Sequence, residues 1–456
     1  MNMENDRLFV SERPAKALAK MALPTIASQV IILLYNLADT WFIGRTDNPY
    51  MIGASSLALT VYLAVVALAN VFGVGGGTLM IRLLGEKKEE EARKVASYSV
   101  TAAAISALVF SLLVFIFMDP LLRLLGASDN TLDYARQYLN MTTVAGSLPT
   151  VLSMCMPQLL RNSGYAGAAG FGVALGSLLN IGLDPLFMFV ILPEGKEVLG
   201  AGIATCISNV VSMIFFIVMF YRVRNKSVLR IPRRLEKIGS ENKRSFYSVG
   251  IPAAFAIFLF DLVTIVINRL TSDYGDIPLA GMGIVLKLER LPINIGLGVC
   301  LGMVPLVSYN FGSGDRTRMQ TFVSLSRKVI LAFSVLCAVL FWFFPENVVG
   351  IFIDDEETVR CGAEYLRGRC LSLPFMMIGY HVVNYMNAVG QGKVSFLLAI
   401  IRHLILIIPI MLMMNLIWGL TGLVWSQLVA DALNAAAAAL LFRKVSKSLS
   451  AAPAAP

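Results

Sequence analysis

Roughly a dozen times along this chain, about 20 residues pass with scarcely a charge among them, and each run is long enough to cross a ~30 Å hydrocarbon layer as a helix. No other feature constrains the fold as tightly. Backbone N–H and C=O groups in lipid must be paired within the protein, which leaves helices or closed barrels, and runs of this length are helices. Spans are expected over residues 15–44, 52–83, 95–118, 138–160, 164–192 and 200–221, then over 249–270, 279–309, 328–344, 370–389, 394–417 and 420–442. Only 15% of the residues are charged and mean hydropathy is +0.72, against about 25% charged in soluble domains. Most water-soluble folds are thereby excluded.

A net charge of +9 raises the question of nucleic acid, but the placement of the charge answers it. With loops assigned alternately to the two faces, 28 of the 38 Lys and Arg fall on one face, nine of them between Arg222 and Arg244. By the positive-inside rule that face, with both termini, is expected to be cytoplasmic in a bacterial-type plasma membrane. Residues 1–20 are charged and no small-residue cleavage site follows the first span, so no secretory signal is expected. Residues 451–456 are expected to be disordered. Six scattered cysteines form no CxxC pair, so neither a zinc site nor a disulfide framework is indicated, and the 21 methionines read as packing groups.

The first half of the chain recurs in the second. Ala22-Leu23-Pro24 aligns with Gly250-Ile251-Pro252, Gly73 and Gly77 with Gly298 and Gly302, Leu84-Gly85 with Phe311-Gly312, Tyr138-Leu139 with Tyr365-Leu366, and Leu148-Pro149 with Leu373-Pro374, all at offsets of 225–228. Each half has six spans, so both enter the membrane in the same direction and are related by an axis along its normal. The expected fold is an all-α membrane protein of twelve transmembrane helices in two pseudo-symmetric six-helix bundles around a central cleft. The N-lobe is placed at residues 1–221, a cytoplasmic linker at 222–244 and the C-lobe at 245–456. Two bundles about a cleft suit alternating access. The glycine run at 73–77 follows no strand and carries no GK[ST], which excludes a nucleotide loop.

Ionisable residues inside spans cost about 2.5–3.5 kcal/mol on insertion scales and point to function. Asp39 in span 1, Asn180 and Asp184 in span 5, and Thr205 in span 6 come out at similar depth. Asn180 and Asp184 are i,i+4 and share a helical face, and Tyr35 lies one turn before Asp39. Two carboxylates, an amide and a hydroxyl at one level could take Na+, which needs only oxygen ligands, or share a proton. The same residues admit structural readings: Asp184 as a cap before Pro185, Asp39 as an interfacial group beside Trp41. A second set is Asp261 in span 7 with Lys287, Glu289 and Arg290 in span 8, where Lys287 is expected to neutralise Asp261, as an ion or substrate site or as an ion pair joining the spans. A third holds His381 and His403 with Asn384 and Arg402, either proton-responsive or merely satisfied between helices.

The stretches LADTWFIG at 37–44, LRNSG at 160–164, NIGLDP at 180–185, GAGIAT at 200–205, GLGVCLG at 296–302 and SYNFG at 308–312, with Arg402 and Pro409, together resemble the MATE (multidrug and toxic compound extrusion) family of the MOP flippase superfamily. The resemblance covers nearly the whole chain. It implies that Asp39, Asn180, Asp184 and Thr205 match positions that bind H+ or Na+, and that Pro24 matches a proline at which the first helix bends. Asp261 matches a C-lobe acid of NorM-like relatives, whose aspartate partner in helix 10 has no counterpart here. The implied activity is antiport by a monomer without an organic cofactor, cation entry driving export of a drug-like, often cationic amphiphile. The competing readings are a flippase for a lipid-linked precursor and an intramembrane aspartyl-type enzyme; no HExxH, GxSxG or P-loop pattern supports an enzyme.

Overall fold

The computed structural model describes residues 3–46, 48–231 and 236–451, and all regular structure among them is helical. The spans run α1 (Pro14–Gly44), α2 (Pro49–Gly85), α3 (Glu89–Ile116), α4 (Asp129–Ala145 with Ser147–Asn162), α5 (Ala166–Ile191) and α6 (Glu197–Val223). They continue as α7 (Ser240–Ser272), α8 (Asp276–Gly312), α9 (Arg316–Phe343) and α10 (Glu356–Cys370 with Leu373–Ala388). Residues 392–418 form α11 and residues 420–451 form α12. Part of the expected linker, residues 232–235, and most of the expected tail, 452–456, lie outside the described residues.

Local sequence explains where these helices start. Asn48 caps α2 by accepting from Tyr50 N, with Pro49 in the first helical position, where its missing N–H is not needed. Asp315 caps α9 and Asp355 caps the first part of α10 through the N–H groups of Arg318 and Thr358. Three glutamates fill the first turn of α3, where they meet the positive end of the helix dipole.

Two spans differ from the sequence expectation in the same way. α4 begins at Asp129 rather than near residue 138, under a capping box formed by Ser128 and Thr131, and bends by 51° before Ser147. α10 begins at Glu356 rather than near residue 370 and breaks at Leu371 and Ser372. In each, a polar, amphipathic lead-in precedes the apolar part, so hydropathy alone starts the span too late. The two lead-ins stand at equivalent places in the two halves.

Between α11 and α12 the chain reverses at Gly419, whose φ of 58° and ψ of −140° suit only glycine. A Cβ on Gly422 would run into the backbone carbonyl of Met414, eight residues back, whereas a continuous helix would hold those residues about 12 Å apart. Among the described residues, nine helices are long and apolar enough to cross a membrane and α4 is a tenth as a bent pair. Dividing residues 392–449 at this turn and adding α10, whose Arg367 and Arg369 lower its hydropathy, gives the twelve spans.

α8 is the central strut: 72% of its most apolar stretch is buried, against 17–39% in the other unbroken spans. The lobes meet along α1–α8 and α2–α7, where small residues let backbones touch. A Cβ on Gly302 would strike the Ala22 Cα, and one on Gly75 the Phe246 carbonyl and Gly250 Cα. At the ends of α2 and α8 the contact is reciprocal, since Gly85 lies against the Tyr309 carbonyl and Gly312 against the Arg82 carbonyl. Gly85 and Gly312, like Arg82 and Tyr309, are 227 residues apart, so the seam obeys the internal repeat. Polar bonds reinforce it there: Arg82 Nη2 donates to Ser245 Oγ (2.5 Å), the Tyr98 and Tyr247 hydroxyls meet at 2.7 Å, and Asn242 donates to Glu91 (2.8 Å). Phe9, from a short helix ahead of α1, stacks on Tyr309 beneath it. All of this lies at the end carrying the basic loops. Further along, a cavity of about 440 Å³ opens between the lobes, lined from α1 and α2 by Asn36 and Leu63 and from the C-lobe by Asp261, Arg290, Tyr380 and Arg402.

Candidate functional site

In the N-lobe, α5 and α6 bring Asn180, Asp184 and Thr205 together, at 2%, 0% and 4% exposure. With its amide nitrogen toward the carboxylate, Asn180 donates to Asp184 Oδ2 (2.9 Å), while its oxygen accepts from Thr205 Oγ1 (3.3 Å) and Thr205 N (3.1 Å). This orientation is assigned from the bonding network, because the reverse sets like against like. Pro185 follows directly, takes one N–H out of the helix ladder, and is succeeded by a wide π-helical turn over Phe187–Ile191. The helix is therefore opened beside the carboxylate.

Asp39 lies on α1, which packs against α5, within electrostatic range of Asp184, Tyr35 and Tyr138. One oxygen of each carboxylate, Asp39 Oδ1 and Asp184 Oδ1, is buried without a hydrogen-bond partner. Neither acid makes an ion pair among the described residues. Tyr35, Asn180 and Thr205 line a cavity of about 390 Å³ whose only basic lining residue is Arg161, itself bonded to Gln158 (2.8 Å). Sequence reasoning missed Tyr62 and Asn209 on that cavity wall; Asn209 donates to Thr150 Oγ1 (3.0 Å). Nothing in the pattern marks a tyrosine in an apolar span as facing a cavity. Pro24 sits inside the unbroken helix α1, and Gly170 of α5 lies against its carbonyl.

The C-lobe departs from expectation. Lys287 is exposed and makes no ion pair among the described residues, so it does not neutralise Asp261. The cation facing Asp261 is Arg290. Glu289 does not join them. Its carboxylate receives both Nε and Nη2 of Arg369 from α10, each at 2.8 Å and almost fully buried. Arg402 donates to Asp431 Oδ1 of α12 (2.9 Å), Gln427 donates to Asp431 Oδ2 (2.6 Å), and the guanidinium lies 4.7 Å from the centre of the Tyr380 ring. Both are buried ion pairs, so removing one partner of either would strand a buried charge.

The two histidines do not meet. His381 bonds through Nε2 to Ser326 Oγ of α9 (2.9 Å), while His403 follows Arg402 on a π-helical turn and bonds through Nδ1 to the Ala399 carbonyl (2.9 Å). Arg369 and Asp431 are functional candidates that sequence reasoning passed over, although a lone charge between Ala430 and Ala432 in an apolar span is a visible signal. α11 and α12 are the C-lobe counterparts of α5 and α6. Where the N-lobe places Asn180 against Thr205, the C-lobe places Arg402 against Asp431, an acid already supplied with its own cation.

Residues 24–186 and 252–413 each match the MatE family model, at the spacing of the internal repeat. The chain is 32% identical over 441 residues, 96% of each sequence, to a protein named multidrug export protein MepA from Staphylococcus aureus (strain MSSA476). A solved structure described as MATE in complex with MaL6 superposes with a TM-score of 0.92 at 22% identity, covering 99% of this chain and 100% of that one. Another, described as the outward-facing conformation of a multidrug resistance MATE family transporter of the MOP superfamily, gives a TM-score of 0.89 at 23% identity over 98% and 99%.

Proposed function

The chain belongs to the MATE family of multidrug export transporters, and on that premise we propose that it is a secondary active efflux carrier, exchanging H+ or Na+ for drug-like, often cationic amphiphilic compounds by alternating access. As a multi-pass transporter it is not an enzyme. Asp39 and Asp184 are the coupling groups, with Asn180, Thr205 and Tyr35 around them. One observation carries this assignment: among the described residues Asp39 and Asp184 have no protein cation and each keeps a buried oxygen unpartnered, whereas Glu289 and Asp431 of the C-lobe are each held by an arginine. An uncompensated acid in a membrane is unfavourable unless a proton or a cation joins it. Five oxygen-bearing groups and no nitrogen base suit either guest.

Coupling then requires that the cation bind the two access states unequally. With the basic loops and both termini placed in the cytoplasm, the closed seam lies inside and the central cavity opens outward. The lobes correspond to residues 1–221 and 245–456, acting as a monomer joined through a cytoplasmic linker at 222–244. Asp261 and Arg290, both on the wall of the central cavity, are placed to meet substrate.

The test is transport. Purified protein in liposomes, given an imposed pH or Na+ gradient, is expected to move a fluorescent organic cation, and Asp39→Asn and Asp184→Asn are expected each to abolish that movement. Transport at the wild-type rate in both variants would overturn the coupling assignment.

A further inference from the structure

At the basic-loop end, away from the cavities described above, the chain leaving α6 does not stray into solvent. Val228 and Leu229 are 3% and 0% exposed and join the main apolar core, so the connection is pinned to the bundle directly after α6. Ser227 tightens the turn, donating through Oγ to the Val223 carbonyl (3.1 Å) and accepting from Leu229 N (3.2 Å). The residues beside these anchors, Arg224, Lys226 and Arg230, are exposed, with the Arg224 guanidinium 3.8 Å from the centre of the Tyr221 ring. Across from them Arg93 rises from the first turns of α3. Together with Asn225 and Glu89 they wall an open cavity of about 360 Å³.

Four cations therefore converge on one recess. Glu89 is the acid on its wall, and Glu90 takes one arm of Arg93 at 2.9 Å. Two acids against four bases leave the recess with a surplus of two positive charges, and Arg93 Nε is buried without a hydrogen-bond partner. Like charges so gathered repel one another. A loop anchored by two buried apolar residues, which keeps them together instead of letting them spread, is arranged for an anion. Guanidinium groups pair with phosphate oxygens in a planar, two-pronged fashion that ammonium groups cannot match, and three of the four bases are arginines. The recess stands at the ends of two membrane-crossing helices, α3 and α6, and basic pockets beside transmembrane helices receive anionic lipid headgroups.

We propose that Arg93, Arg224, Lys226 and Arg230 form a binding site for a phosphate-bearing anion, presented as the headgroup of an anionic phospholipid such as phosphatidylglycerol. The bound headgroup joins α3 to the segment that leads from α6 toward α7, and so ties the connection between the lobes to the N-lobe. This site is independent of the coupling carboxylates, and its failure would leave the transport assignment untouched.

Native mass spectrometry of the detergent-purified full chain, titrated with phosphatidylglycerol or phosphatidylcholine, tests it. One phosphatidylglycerol is expected to bind at least tenfold more tightly than phosphatidylcholine. Arg93→Gln with Arg230→Gln is expected to remove that preference, and Arg93→Lys with Arg230→Lys to keep part of it. Arg443→Gln with Lys444→Gln, which strips equal charge from the exposed end of α12, is expected to leave it unchanged. Inorganic phosphate at millimolar concentration separates the sources. Displacement of the lipid by phosphate alone supports the anion site with free phosphate as occupant, while resistance to phosphate supports the lipid. Equal losses in the site and control variants would show only general attraction to a basic surface and would overturn the proposal.

Discussion

The reciprocal contact between Gly85 and Gly312 makes a quantitative claim about how the lobes move. A methyl group placed on either residue would collide with backbone, the Tyr309 carbonyl in one case and the Arg82 carbonyl in the other. No side-chain rotation can relieve it, so α2 and α8 must part by about 1 Å to reach ordinary packing distance. Overpacking of this kind costs about 1–3 kcal/mol. Alternating access separates the seam in the opposite state, so the penalty falls on the closed state alone and the equilibrium should shift about 5–150-fold. Since the two glycines are equivalent by the repeat, Gly85→Ala and Gly312→Ala should act in the same direction and to a similar extent. One separation relieves both collisions, so the double variant should fall well short of the sum of the singles. Spin labels at positions 88 and 243, exposed on opposite sides of the seam, would report the distance distribution by pulsed electron resonance in liposomes. Folded single variants with the wild-type distribution would refute the idea that this seam sets the balance between states.

The buried pair of Arg402 and Asp431 gives a second expectation: Arg402→Met should lower stability by about 3–5 kcal/mol by stranding a buried carboxylate, and Arg402→Met with Asp431→Leu should recover most of it, read as thermal unfolding in detergent. Gly419→Ala should cost about 1–3 kcal/mol, because only glycine accepts the backbone angles of the turn between α11 and α12; an unchanged unfolding midpoint would contradict those angles. Asp355 lies outside the membrane, and the hydroxyl and backbone N–H of Thr358 hold its carboxyl below the usual carboxylate range. A depressed carboxyl contributes fully above its unfolded value and loses that contribution as pH falls. Protection of the amides at residues 356–360 against hydrogen exchange, taken relative to the intrinsic rate at each pH, should therefore fall below about pH 4, and Asp355→Ala should remove the dependence.

Much of this was readable from the chain. The unbroken spans announce themselves because lipid tolerates so few alternatives, and the repeat supplies their pairing. α4 and α10 were only half visible, since their lead-ins beneath Ser128 and Asp355 are amphipathic and carry no hydropathy signal. The shared depth of Asp39, Asn180, Asp184 and Thr205 follows from counting along helices of expected direction, which needs no knowledge of packing. The C-lobe charges resisted the same treatment. Lys287 and Glu289 are two residues apart, about 200° around a helix, and cannot both face Asp261. Which of them turns inward depends on where α10 and α12 lie, and the partners Arg369 and Asp431 are 80 and 29 residues away from Glu289 and Arg402.

The mutual docking of Gly85 and Gly312 has a meaning beyond its tightness. An interface in which position i meets j while j meets i is what two identical subunits make about a twofold axis, and here it has been written into a single polypeptide. The tether from α6 to α7 is thus not what holds the halves in register. It guarantees one of each, and it frees the two copies to drift apart in chemistry, one keeping its acids open and the other sealing them with arginine.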